Sequence, residues 1–345
     1  MTTADASTAS ETGADELEAG EKERIPVTIL TGFLGAGKTT LLKRILREDH
    51  GHRIAVIENE YGEEGIDDAL LIEDHEEQIV EMNNGCICCT VRGDLVRILG
   101  DLAGRRSTGD IDFDRVIIET TGLADPAPVA QTFFVDPQVA DAYRLDAVIT
   151  VVDALHGPQQ LDQHHEAQEQ VGFADRILLS KTDLVDSAAT AVVRQRLLQM
   201  NPRAPVLPVH FGVTPLAQIL DIKGFDLDAI LEIEPDFLED VSHEHDGDIA
   251  SFVYRSERAF DEAKLVAVLD LLIGGYGTRM MRYKGILQIR DQPRRAVVQG
   301  VHMIFGSSLE RPWEEGEARV STLVFIGRDL PRELICSSLD KCLVG

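Results

Sequence analysis

Gly32-Phe33-Leu34-Gly35-Ala36-Gly37-Lys38-Thr39 follows directly on a strand-length apolar run at 25–31. The spacing is G-x-x-x-x-G-K-T, and a helical pattern follows it at 39–48. Glycine tolerates the left-handed backbone that lets successive N–H groups curl around phosphate oxygens. The start of the next helix adds partial positive charge. In such a loop a lysine neutralises the β- and γ-phosphates and a threonine hydroxyl ligates Mg²⁺. The reading therefore predicts a nucleotide cradle built from Gly35, Ala36, Gly37, Lys38, Thr39 and Thr40, with Thr39 on the magnesium.

Outward from this stretch, strand patterns recur at 53–58, 115–119, 146–152, 176–180 and 205–209. Helical patterns lie between them at 90–102, 162–171 and 188–199. Strands alternating with helices, several of them continuously apolar, predict an α/β domain over 25–222. Its sheet is expected to be mostly parallel and covered by helices on both faces. Residues 1–24 read as a disordered acidic tail. Residues 223–247 carry Glu232, Glu234, Asp236, Glu239 and Asp240 and read as an exposed acidic linker. From 248 to 345 the order is strand 249–256, helix 261–273, strands 284–290, 295–305 and 319–326, and helix 331–342. That order predicts a smaller α+β domain with an open sheet face.

The 345 residues carry 60 acids against 33 bases, a formal net charge of −27. That balance argues against nucleic acid as a partner, since phosphate binding needs a basic face. It argues equally against an anionic membrane surface. No apolar stretch reaches the roughly 18 residues of a membrane span. The first 24 residues lack the features of a secretory or mitochondrial leader, so the cytoplasm is the expected compartment.

Ser180-Lys181-Thr182-Asp183 closes a predicted strand. In GTP-binding proteins an Asn-Lys-x-Asp there reads guanine, because the aspartate accepts from the N1–H and N2–H₂ donors that adenine lacks. Ser180 stands in place of asparagine, which is expected to weaken nucleotide affinity without changing the base. His210, in Val209-His210-Phe211-Gly212 after the last strand, is a candidate for packing on the base. Glu119-Thr120-Thr121-Gly122 ends another strand, where Glu119 can hold Mg²⁺ through water or orient the attacking water, and Gly122 can sense the γ-phosphate.

Asn84-Gly85-Cys86-Ile87-Cys88-Cys89 gathers three of the five cysteines within four residues. Thiols this close in a reducing compartment suit a thiophilic cation such as Zn²⁺. Three thiolates leave a tetrahedral site incomplete, and the fourth ligand must come from water, a carboxylate, a histidine or a partner. Glu60, in the switch-like Glu58-Asn59-Glu60-Tyr61-Gly62, is the candidate carboxylate. His164 and His165, adjacent on a predicted helix, make a poor chelate. His243 and His245 form a second histidine pair. His302 and Trp313 read as packed residues, and Cys336 and Cys342 as core residues of the last helix.

Taken in order, Gly-Phe-Leu-Gly-Ala-Gly-Lys-Thr-Thr, Glu-Asn-Glu, Gly-Cys-Ile-Cys-Cys, Glu-Thr-Thr-Gly-Leu-Ala-Asp-Pro and Ser-Lys-Thr-Asp resemble the CobW-like metallochaperone GTPases. The likeness covers 25–345 and includes Arg282-Tyr283-Lys284-Gly285, Gln299-Gly300-Val301-His302 and Arg311-Pro312-Trp313. It implies a GTP/GDP cycle with Mg²⁺, and transfer of Zn²⁺ or Co²⁺ to a client metalloprotein. Self-association as a homodimer is a further expectation. Competing readings are cofactor loading of one enzyme, a zinc buffer with weak hydrolysis, and a thiol redox sensor.

Overall fold

The computed structural model describes residues 24–48, 50–58, 79–81, 90–224, 249–314 and 316–344. Its first unit is a seven-stranded, wholly parallel sheet. The strands are β1 (Ile25–Gly32), β2 (Ile54–Glu58), β3 (Ile79–Glu81), β4 (Arg115–Glu119), β5 (Tyr143–Asp153), β6 (Arg176–Ser180) and β7 (Val206–Pro208). In space they run β3-β2-β4-β1-β5-β6-β7, which puts β1 at the centre. Among the described residues seven helices accompany them: α1 (Lys38–Arg47), α2 (Thr90–Thr108), α3 (Ala127–Val135), α4 (Pro137–Ala142), α5 (Gly157–Gln163), α6 (His165–Phe173) and α7 (Ser187–Met200). Val27, Ile29 and Ile118 face one core, with α2, α3 and α6. Leu30, Ile117 and Ile149 face the other, with Leu41, Leu42 and Ile45 of α1. Burial on both faces explains why these strands are apolar without alternation.

The helix expected at 162–171 is two helices. His164 between them is extended, at φ −128 and ψ 118, and its ring lies 4.6 Å from that of Phe33. The two histidines therefore do not share a helix. Helices α3 and α4 went unpredicted. Asp136 separates them and its carboxylate accepts from the N–H groups of Gln138 and Val139, a local cap that restarts the helix.

The second unit contains β8 (Ile249–Ser256), α8 (Glu262–Tyr276), β9 (Met280–Leu287), β10 (Arg294–Val301), β11 (Ile304–Pro312), β12 (Ser321–Arg328) and α9 (Arg332–Asp340). Its antiparallel order is β11-β10-β9-β12-β8. The single strand expected at 295–305 is a hairpin, turning at His302, whose φ is 52. The open sheet face expected from sequence is closed. Phe252, Tyr283 and Phe325 pack under Leu265, Leu269 and Leu339 of α8 and α9. On the opposite face, Val253, Ile286, Val324 and Ile326 join the same core as Phe133, Val171 and Phe173 of the first unit. Side chains alternate along a strand, and here both alternating sets are apolar, so both faces must be covered. Cys342 is buried but lies beyond the end of α9, while Cys336 is half-buried on it. Trp313 is buried in the shared core beneath the Arg295 guanidinium.

Polar ties lock this second face. Arg282 donates to the Phe173 carbonyl at 3.1 Å and pairs with Asp175 at 2.6 Å. Lys284 donates to the Gly224 carbonyl at 2.7 Å. Among the described residues, no helix is long and apolar enough to cross a membrane.

Glu169 of α6 sits at the same junction, with His165 at 3.0 Å, near Asp125, His302 and Arg328. Burial, then the Asp125 charge, raises its pKa to about 7 from an ordinary 4.5, against the opposing pull of His302 and Arg328. The folded protein therefore holds this proton more tightly than the unfolded chain does. The resulting stability is full below about pH 4.5 and is lost as pH rises through about 7. Glu169→Gln should flatten the fall of the thermal midpoint over that interval. A variant whose midpoint tracks the wild type across the same pH range contradicts this assignment.

Candidate functional site

Parallel strands present all their carboxyl ends at one edge of the sheet, and the loops leaving that edge form the site. β1 delivers the phosphate loop. Gly32 runs at φ 142, and a side chain there would meet the Val151 carbonyl oxygen at 2.3 Å, so only glycine lets the chain leave the sheet beside β5. Gly35 and Gly37 hold φ 73 and 105. Gly37 begins α1 with no side chain capping the helix. The first N–H groups of a helix lack intrahelical partners, and an anion is their natural acceptor. The Lys38 ammonium reaches back to the Gly32 carbonyl at 2.9 Å and the Phe33 carbonyl at 3.5 Å, spanning the mouth of the loop.

Glu119 ends β4, directly beside β1, with Leu30 opposite it in register. Its Oε1 accepts from the Thr39 hydroxyl at 3.0 Å. A hydroxyl and a carboxylate converging at the end of a phosphate cradle are hard oxygen donors, the set Mg²⁺ prefers. Thr39 and Glu119 thus fit a magnesium ion on a bound triphosphate. Thr120 ties the following loop down, donating through its N–H to Leu30 and through its hydroxyl to Thr31. Gly122 then crosses the phosphate loop so closely that a Cβ would lie 2.7 Å from the Leu34 N and 2.8 Å from its Cα. Sequence reasoning missed Gln170, a buried α6 residue whose amide donates to the carbonyls of Gly122 at 3.3 Å and Ala124 at 3.0 Å. A lone glutamine in a helical pattern carries no motif by which to find it.

At the other side of β1, β5 and β6 bring up the residues expected from sequence to meet the base. The Ser180 hydroxyl, with one proton to give, lies 2.7 Å from the Ala36 carbonyl and 3.2 Å from the Val152 carbonyl, and the shorter contact ties this loop to the phosphate loop. Lys181 adopts the left-handed conformation, and its ammonium lies 2.8 Å from the Asp153 carboxylate. Asp183 is 3.5 Å from His210, whose ring meets Phe211 edge-on at 4.8 Å. Gly212 passes 3.0 Å from the Thr40 carbonyl, by the measure of an added Cβ, and so seats the His210 loop against α1. The phosphate-loop, Glu119, Gly122, Ser180, Lys181, Asp183 and His210 positions therefore all lie along this edge.

Glu60, Cys86, Cys88 and Cys89 lie outside the described residues, as do His243 and His245. The chain on either side of the thiols is described. β3 pairs with β2, and β2 with β4, so that Glu81, Glu58 and Glu119 stand in one row. The thiol segment leaves β3 immediately after Glu81 and ends where α2 begins, at Thr90. With strands about 4.8 Å apart, Glu81 stands roughly 10 Å from Glu119 along that row. Among the described residues no cluster of His, Cys, Asp and Glu is arranged to hold a metal ion.

The nucleotide-binding domain of CobW, HypB and UreG matches residues 26–208, and the C-terminal domain of the cobalamin synthesis protein CobW matches 249–343. The chain belongs to the CobW/HypB/UreG family. It is 44% identical to the zinc chaperone YjiA of Escherichia coli, over 90% of this chain and 96% of that one. It is 36% identical to the zinc chaperone CobW of Pseudomonas aeruginosa, over 93% and 92% of the two chains. The crystal structure of the Zn(II)-bound YjiA GTPase superposes with a TM-score of 0.73, covering 93% of this chain and all of that one. A two-domain architecture of parallel sheet plus antiparallel sheet is thus shared with a relative at 37% identity.

Because Gly122 touches phosphate-loop backbone, a methyl group there must displace one loop or the other. Gly122→Ala should lower nucleotide turnover at least about tenfold, about 1.4 kcal/mol in the barrier, while the circular dichroism spectrum stays native. Unchanged turnover in a folded variant contradicts the packing argument.

Proposed function

We propose that this protein is a Mg²⁺-dependent GTPase that carries Zn²⁺ on Cys86, Cys88 and Cys89 and hands it to a client metalloprotein. One observation supports this above the others. The strand that launches the thiol segment ends in register with Glu119, on the edge where the nucleotide cradle is built. Relatives named zinc chaperones match it over nearly their whole length. Family members named zinc-regulated GTPase metalloprotein activators match part or most of it.

In this reading Lys38 and the N–H groups of the phosphate loop hold the β- and γ-phosphates. Thr39 and Glu119 hold the magnesium, which offsets negative charge on the phosphates. Gly122 lies against the phosphate loop and registers whether the γ-phosphate is present. Asp183 accepts from guanine, and the Ser180 hydroxyl ties this stretch to the phosphate loop. The thiolates, with Glu60 as a fourth donor, hold the cargo ion. Co²⁺ suits the same donors. Hydrolysis frees the loops that the γ-phosphate had ordered, and the cargo site loosens with them.

Linkage requires the coupling to be reciprocal: zinc must tighten the nucleotide state that tightens zinc. Calorimetry with Zn²⁺ should give affinities differing at least about fivefold between protein bound to a GTP analogue and protein bound to GDP. Equal affinities contradict the coupling. Cys88→Ser should lose most high-affinity zinc binding and keep GTP binding. Unchanged zinc affinity in that variant removes the cargo ion from these thiols.

A further inference from the structure

Asp153 is absent from the motifs read in the sequence, yet two loops of the site meet on it. It ends β5 and is 1% exposed. A carboxylate so thoroughly removed from water needs its charge and lone pairs answered. Oδ1 accepts from the Leu155 N–H at 2.7 Å and the His156 N–H at 3.1 Å, which folds the chain back into the turn before α5. Oδ2 faces across to the next strand and takes the Lys181 ammonium at 2.8 Å. β5 and β6 pair so that Asp153 stands opposite Ser180, the residue before the lysine.

Lys181 is held in two unusual ways. Its backbone is left-handed, at φ 56 and ψ 31, a conformation that a residue with a side chain keeps only when its surroundings determine it. Its stem has four flexible carbons, which a free surface lysine leaves disordered in water. Fixing the ammonium on Asp153 restricts where that stem can run. An extended methylene chain is a flat apolar strip, the shape that packs against the face of a planar base. Next to it, Ser180 bonds the phosphate loop at Ala36, so the strip is also set at a fixed distance from the phosphate cradle.

We infer that Asp153 is a positioning residue for base recognition: by anchoring the Lys181 ammonium it holds the lysine stem where a guanine nucleotide's base must stack, leaving Asp183 to read the base edge. This rests on the guanine reading of Lys181 and Asp183 proposed above. It goes beyond that reading by assigning base selection to a buried carboxylate on a neighbouring strand that does not touch the nucleotide. A purely structural Asp153 would serve only the turn at Leu155 and His156.

Asp153→Asn separates the two roles. The amide keeps an acceptor oxygen for the two N–H groups but loses the charge that fixes the lysine. Steady-state hydrolysis of GTP and ATP by the full chain should show KM for GTP rising about tenfold, with a smaller change in kcat. The KM for ATP should rise less, because adenine offers Asp183 no donors to read once it is seated, so the preference for GTP over ATP falls severalfold. Lys181→Met keeps the stem and removes the anchored charge, and it should lose the same preference. The double variant should be no worse than the more affected single one, because both substitutions remove one interaction. Should Asp153→Asn fail to fold, Lys181→Met, whose side chain is partly exposed, carries the test alone. An unchanged GTP preference in the folded Asp153→Asn protein, or in Lys181→Met if that is the one that folds, overturns the proposal while leaving the reading of guanine by Asp183 intact. A wild-type protein that accepts GTP and ATP alike overturns the guanine reading and the proposal with it.

Discussion

The parallel pairing of β1 with β4 on one side and β5 on the other is the constraint from which the rest follows. In register, Leu30 stands beside Glu119 and Gly32 beside Val151. That alignment brings Glu119 to the Thr39 hydroxyl and forces glycine at position 32, where any Cβ would strike the Val151 carbonyl. A slip of one residue along either strand would exchange its side chains between the two cores. It would also part the carboxylate from the phosphate loop. The cores on both faces of the sheet therefore serve the site directly, since the packing of each set of side chains into its own core fixes the register.

From this edge, α6 connects the nucleotide loops to the second unit. Gln170 holds the carbonyls of Gly122 and Ala124. Two and three residues further on, Gly172 packs against Met281, and the Phe173 carbonyl accepts from Arg282. At the start of the same helix Arg328 reaches Gln168 at 2.8 Å and also meets His165. From α3, Gln131 donates to the Val301 carbonyl at 3.2 Å. The loop at Gly122 is thus bonded to a helix that also contacts the antiparallel sheet. Displacement of that loop has a packed, hydrogen-bonded path into the C-terminal unit, and packed interfaces shift between discrete arrangements rather than deforming smoothly.

The phosphate loop, Glu119 and the Ser180–Asp183 stretch were legible because each chemistry demands particular residue types at fixed spacing, between elements of clear periodicity. β4 and β6 could be read to the residue, since continuous apolar runs end sharply at Glu119 and Ser180. Three features were not legible for a common reason: they depend on contacts distant in sequence or on caps that break a pattern. The hairpin turn at His302 has no Asn-Gly or Asp-Gly signature. The break at His164 interrupts an otherwise helical pattern. The covered sheet face required knowing that α3 and α6 supply its partner. Asp153 and Gln170 were invisible as functional candidates because each acts on a neighbouring loop, through one carboxylate or one amide, with no motif around it.

The central claim is that cargo thiolates and triphosphate share one sheet edge. Co²⁺, which is paramagnetic, tests this directly when loaded on protein holding a slowly hydrolysed GTP analogue and Mg²⁺, with the ³¹P resonances of the bound nucleotide recorded against a Zn²⁺-loaded control. The account predicts selective broadening of the γ-phosphate resonance by cobalt, abolished when the cysteines at 86, 88 and 89 are replaced by serine. Resonances as sharp with cobalt as with zinc would place the cargo far from the nucleotide and contradict it.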